Sequence, residues 1–172
     1  HLLQHTERRN GSAKLRPVHR LVILAVGLLI VGCNSEEPTA DVYHKGGRDS
    51  FESFVARQGQ PVVVNKWASW CGPCRTEFPY FRDLARRNKG EVVFVGVNSN
   101  DNEGDARDFL DDNPVPFKHF WDPKLEVAAS FNGVQAFPTT AFYDRAGELA
   151  FVHQGGYQSE EQLVEDIDRY AR

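Results

Sequence analysis

Two cysteines within the stretch WASWCGPCRTEF, Cys71 and Cys74, are the residues of this chain best suited to chemistry. Three readings fit a Cys-x-x-Cys: half a zinc site, a structural disulfide, or a dithiol that opens and closes during turnover. A structural zinc site needs four ligands, typically with a second Cys/His pair. No further cysteine follows Cys74, and His119 and His153 stand alone in strand-like segments as ordinary strand residues, so no metal is expected. A static disulfide closing so short a loop constrains the unfolded chain little. The redox reading has a mechanism. The run VVVNKW leads into Cys71, where a helix begins. Unpaired N–H groups and the helix dipole at such a terminus stabilise a thiolate, and such settings bring thiol ionisation from about pH 8.5 down to about 7 or lower. Cys74 lies one turn deeper on the same face, within the separation a disulfide tolerates. Pro73 is accommodated because a first-turn N–H has no partner to lose. On this reading Cys71 attacks the disulfide of a partner and Cys74 resolves the mixed disulfide.

The elements that must position the pair alternate between helical and strand patterns. DSFESFVARQ places Phe51, Phe54 and Val55 on one helical face, and PVVVNKW reads as a buried strand. CRTEFPYFRDLARR carries Phe78, Phe81, Leu84 and Ala85 at helical spacing, and EVVFVGVN is apolar and β-branched, as in a strand covered on both faces. GDARDFLDDN predicts a short helix with Ala106, Phe109 and Leu110 inward, and FKHFW a strand. Asp122-Pro123 reads as N-cap and first helical residue of PKLEVAASF. TTAFYD and ELAFVHQ flank Arg145-Ala146-Gly147 as a hairpin, and Ser159-Glu160-Glu161-Gln162 opens a last helix as a capping box, with Leu163, Val164, Ile167 and Tyr170 on its apolar side. Such alternation implies a largely parallel sheet with helices on both faces and an antiparallel edge.

The charge is uneven along the chain. Its first twenty residues hold Arg8, Arg9, Lys14, Arg16 and Arg20 against one acid, Glu7, and the remainder is acidic enough to bring the net charge to −4. A basic leader on an acidic body argues against nucleic-acid binding. With no methionine in the chain, the expectation is that the reading frame extends upstream of His1. The apolar stretch LVILAVGLLIVGC behind the basic residues is shorter than the roughly 20 residues of a spanning helix, so residues 1–33 read as a signal peptide. Its end, Ile30-Val31-Gly32-Cys33, resembles a bacterial lipobox, in which the cysteine is lipidated and becomes the new N-terminus. Lipidation of Cys33 accounts for the cysteine left over from the Cys71/Cys74 pair. Residues 34–48 then form a polar tether, and 49–172 a single domain held at the extracytoplasmic face of a bacterial membrane or in the periplasm.

WCGPC after a buried strand, Pro79 in the following helix and Phe137-Pro138-Thr139 before the hairpin together resemble the thioredoxin superfamily, and more narrowly its TlpA/ResA-like, membrane-tethered branch. The resemblance implies a three-layer sandwich: a mixed central sheet, helices on both faces, and an extra strand and helix within residues 90–133. It implies a cis bond at Pro138 and a substrate-binding surface of Trp70, Gly72, Pro73, Phe137, Pro138 and Thr139. It places Glu77 as an active-site glutamate. Asn65 stands where plain thioredoxin has a buried aspartate, and an amide cannot exchange protons with Cys74, so Glu77 is the expected proton shuttle. Lys66 replaces an aromatic residue usual in the family and has no role on this reading. The branch implies a thiol-disulfide oxidoreductase without a cofactor, reducing protein disulfides, recharged by a membrane reductase and often serving cytochrome c maturation.

Other functions fit less well. A peroxiredoxin-type peroxidase needs Pro-x-x-x-Thr-x-x-Cys, and Ala68 stands three residues before Cys71. A copper chaperone of the same superfamily wants three residues between its cysteines. A tethered binding module that uses the cis-proline groove without redox turnover remains, and replacing both cysteines with serine separates it from the enzyme.

Overall fold

In the computed structural model, which describes residues 41–171, the buried run VVVNKW becomes the second of six strands. These are β1 (Tyr43–His44), β2 (Val62–Trp67), β3 (Val93–Ser99), β4 (His119–Asp122), β5 (Thr139–Tyr143) and β6 (Leu149–Gln154). The helices are α1 (Gly47–Ala56), α2 (Gly72–Arg87), α3 (Glu103–Asp112), α4 (Glu126–Ser130) and α5 (Glu160–Tyr170). The sheet order is β1-β4-β3-β2-β5-β6. β1, β4, β3 and β2 run parallel to one another, whereas β5 is antiparallel to both β2 and β6. This is the mixed sheet that the resemblance to the thioredoxin superfamily implies, with β4 and α3 lying inside residues 90–133.

Strand side chains alternate between faces, and that alternation sorts the core. Val62 and Val64 of β2 pack with Phe51 and Val55 of α1 and Val127 and Ala128 of α4. Val63 points to the other face, where it packs with Phe81 and Leu84 of α2 and Leu163 and Ile167 of α5. Continuing the alternation sends Asn65 towards α2 and Lys66 towards the α4 side. Trp67 at the strand end joins a third cluster with Cys71, Cys74, Phe78 and the α3 residues Ala106, Phe109 and Leu110. The end of β2 therefore sends three consecutive side chains to different neighbours, and of these Trp67 packs with the cysteine pair.

Several boundaries differ from expectation. Tyr43–His44 lie in the segment read as a tether, yet they pair with His119 and Phe120 at the sheet edge; two residues are too few for a period-2 pattern to show. Residues 34–40 of that segment, the leader and Cys33 lie outside the described residues. α4 begins at Glu126, not at Pro123, because Leu125 is left-handed (φ 61°). Asp122 still caps it from β4, its carboxylate accepting the Val127 and Ala128 N–H groups at 2.9 and 3.0 Å. Ser159 is the N-cap of α5, but its side chain makes no capping hydrogen bond, and Gln162 Oε1 accepts the Gln158 N–H instead of the Ser159 N–H, so the capping box is not formed. Among the described residues no helix is long and apolar enough to cross a membrane.

Gly96 in β3 is required by a close approach. A methyl there would lie 1.8 Å from His119 Nδ1, which accepts the Trp67 indole N–H at 3.0 Å in a fully buried contact. Gly96→Ala is expected to lower stability by about 3 kcal/mol, as overpacking of a closed core does, and chemical denaturation measures it.

Candidate active site

α2 starts immediately after β2, and its first residues define the site. Cys71 is the N-cap, its Sγ accepting the Cys74 N–H at 3.2 Å, and Gly72-Pro73 fill the first turn. A sulfur in that position meets the unpaired N–H groups and positive end of a 16-residue helix. Cys71 and Cys74 are joined as a disulfide, S–S 2.00 Å, with Cα atoms 5.3 Å apart. Cys71 retains 3% of its surface and Cys74 1%. The N-terminal sulfur is thus close to covered in the oxidised state, and an incoming thiolate reaches it only at the surface edge.

The loop that delivers the pair is anchored by a residue the sequence reading passed over. Asp101 accepts from the Ser69 N–H and, at 2.7 Å, the Ser69 hydroxyl, while Asn98 donates to the same carboxylate at 2.8 Å. Trp70, 57% exposed, donates its indole N–H to Asn100 O at 2.9 Å. The β3–α3 turn therefore fixes the residues before Cys71; nothing in the spacing of Asp101 from the cysteines signals this.

The Phe137–Pro138 bond is cis, as the resemblance implies. A methyl built on Gly156 would lie 3.3 Å from Pro73 Cβ, 3.6 Å from Pro138 Cγ and 3.7 Å from Glu77 Oε2, so the first turn of α2, the cis-proline and Glu77 converge there. The Trp70 and Phe137 rings pack together with centroids 4.9 Å apart and planes tilted by 53°. Gly72 and Pro73 are exposed, Phe137 half-buried and Pro138 buried. Thr139 differs from the other expected surface residues. It is fully buried, and its hydroxyl donates inward to Ala136 O at 2.8 Å, which puts it behind the surface.

Glu77, one turn beyond Cys74 on the buried side of α2, has no exposed surface. Its two oxygens accept from the Asn65 amide at 2.8 Å and the Tyr157 N–H at 2.9 Å. Burial pushes its carboxyl up to about 7, and these two donors only partly oppose the shift. The acid is therefore poised to hold or release a proton near neutrality. Asn65 Oδ1 has no partner of its own among the described residues.

Lys66, for which the sequence offered no role, is completely buried. Its Nζ donates to Gly133 O and, at 2.6 Å, to Ala136 O, and lies 3.5 Å from the centroid of the Phe137 ring. Burial brings the ammonium down to about 8, against the field of Asp122. The described residues contain no cluster of three or more His, Cys, Asp or Glu able to hold a metal ion.

With this geometry in place, the comparison with known proteins is decisive. Residues 49–168 match the Redoxin family. The chain belongs to the Redoxin family. Among its relatives is the thiol-disulfide oxidoreductase ResA of Halalkalibacterium halodurans, 33% identical over 119 residues, 67% of this chain and 66% of that protein. The chain thus spans just under two thirds of that relative's length. A Chlorobium tepidum structure assigned as the thiol:disulfide interchange protein DsbE superposes with a TM-score of 0.61 at 33% identity, covering 68% of this chain and 82% of that one. A secreted thiol-disulfide isomerase from Corynebacterium glutamicum gives 0.55 at 30% identity over 62% and 68%.

Proposed function

We propose that this redoxin is an extracytoplasmic thiol-disulfide oxidoreductase that reduces protein disulfides through Cys71 and Cys74. The observation that carries the reading is the Cys71–Cys74 disulfide at the N-terminus of α2, with the N-cap sulfur already a hydrogen-bond acceptor. In the reduced protein the Cys71 thiolate attacks a substrate disulfide, breaking its S–S bond, forming one mixed S–S bond and releasing one substrate thiolate, which solvent protonates. Glu77 takes the proton of Cys74; the resulting thiolate attacks Cys71 Sγ, releases the second substrate thiol and leaves the Cys71–Cys74 disulfide. Two electrons pass to the substrate, with one proton from solvent and one returned by Glu77, and an external dithiol, supplied by a membrane reductase, restores the Cys71/Cys74 dithiol. The substrate lies extended along Trp70, Gly72, Pro73, Phe137 and Pro138, with Thr139 supporting the loop from behind.

The setting follows from the leader: a signal peptide ending in a lipidated Cys33 and a tether through residue 40 place the domain outside the cytoplasm at a membrane. Cytochrome c maturation is the service that setting suits. Equilibration with glutathione tests the direction of electron flow. A reduction potential below about −180 mV supports a reductant, and a value near about −120 mV, that of a strong oxidant, overturns it.

A further inference from the structure

A lysine with no exposed surface needs compensation for its charge, and Lys66 finds it in an unusual place. Its partners are the carbonyls of Gly133 and Ala136 and the face of the Phe137 ring, all in the segment that ends at the cis-proline. Thr139, the register partner of Lys66 across β2 and β5, shares its face and donates its hydroxyl to the same Ala136 carbonyl. Two donors on neighbouring strands therefore pull one carbonyl inward. The Ala136–Phe137 peptide is trans, since the cis bond is the next one, and in a trans peptide the N–H points opposite to the C=O. Fixing the Ala136 carbonyl against Lys66 consequently turns the Phe137 N–H away from the core, next to the ring that packs against exposed Trp70.

We propose that Lys66 is a positioning residue for substrate recognition: its buried ammonium, with the Thr139 hydroxyl, locks the Ala136–Phe137 peptide so that the Phe137 N–H is presented to a backbone carbonyl of an extended polypeptide substrate. The cation beneath Phe137 also holds that ring in place as one wall of the same surface. This inference rests on the oxidoreductase reading and adds to it a residue that favours disulfides carried on extended peptides over hydroxyethyl disulfide, which has no backbone carbonyl to offer.

The test compares two substrates in steady-state reduction by the full chain: a mixed disulfide between a ten-residue extended peptide and glutathione, and hydroxyethyl disulfide. Lys66→Met keeps the length of the side chain and removes the donors. It is expected to raise KM for the peptide disulfide about tenfold, the scale of one lost backbone hydrogen bond, with kcat within about twofold and hydroxyethyl disulfide turnover unchanged. Thr139→Val removes the second donor and is expected to raise the same KM about threefold; it carries the test alone if Lys66→Met does not fold. Equal losses on both substrates, or no change on either, overturn the proposal, because a general packing role would not separate them. A wild type that reduces neither substrate refutes the oxidoreductase reading itself, and this inference with it.

Discussion

Cys71→Ser is expected to bring protein-disulfide reduction down to the background of the solution thiols, a loss of roughly 10⁴ or more, the scale on which removal of a catalytic nucleophile is felt. A serine at the N-cap preserves the capping geometry, since its oxygen can accept the Cys74 N–H that Sγ accepts at 3.2 Å. The fold therefore survives, and the loss reports chemistry alone. Cys74→Ser is expected to fail differently. Cys71 still attacks, but nothing releases it, so one equivalent of substrate accumulates as a covalent complex, visible by intact mass and dispersed by reductant. The two variants together separate attack from resolution. Trapping by Cys71→Ser instead of Cys74→Ser would reverse the assigned roles. Turnover by either single variant at the wild-type rate would remove the dithiol mechanism.

How much of this site the sequence carried depends on how local each determinant is. Cys71, Gly72, Pro73, Cys74 and Glu77 lie within two turns of one helix, so spacing alone places them, and the N-cap position of Cys71 follows from the strand that precedes it. The cis bond at Pro138 was legible only through the family resemblance, since most X–Pro bonds are trans. Lys66 was illegible for a physical reason: its partners are backbone carbonyls 67 and 70 residues away, and a carbonyl leaves no mark in the side-chain pattern. Asp101 holds Ser69 across 32 residues, and the pairing of β1 with β4 depends on tertiary contact rather than periodicity. Asp122 was recognised as a cap from its residue type. The turn it spans was misplaced because Leu125 takes a left-handed conformation that leucine rarely adopts.

Glu77→Gln is expected to slow turnover and stabilise the protein together, with the second effect confined to higher pH. Burial raises the Glu77 carboxyl from an ordinary 4.5 to about 7 in the folded chain. For an acid raised in this way the neutral form is the one the fold prefers. Stability is greatest below pH 4.5, falls as pH rises through 7, and levels above it, at a cost of about 3 kcal/mol for the buried charge. A glutamine removes that slope. It also fits the hydrogen bonds: its oxygen accepts the Tyr157 N–H, and its amide donates to Asn65 Oδ1, now without a partner, once the Asn65 amide rotates. Thermal unfolding at pH 5 and pH 8 should therefore show little difference from wild type at the lower pH and a higher Tm for the variant at pH 8. Activity should move the other way. Without a group to accept the Cys74 proton, kcat falls about 100-fold, and the rise of wild-type kcat through pH 7 disappears. A glutamate that served only to fill space would give the stability change with unaltered kinetics, so the opposing signs of the two effects decide whether Glu77 moves the proton.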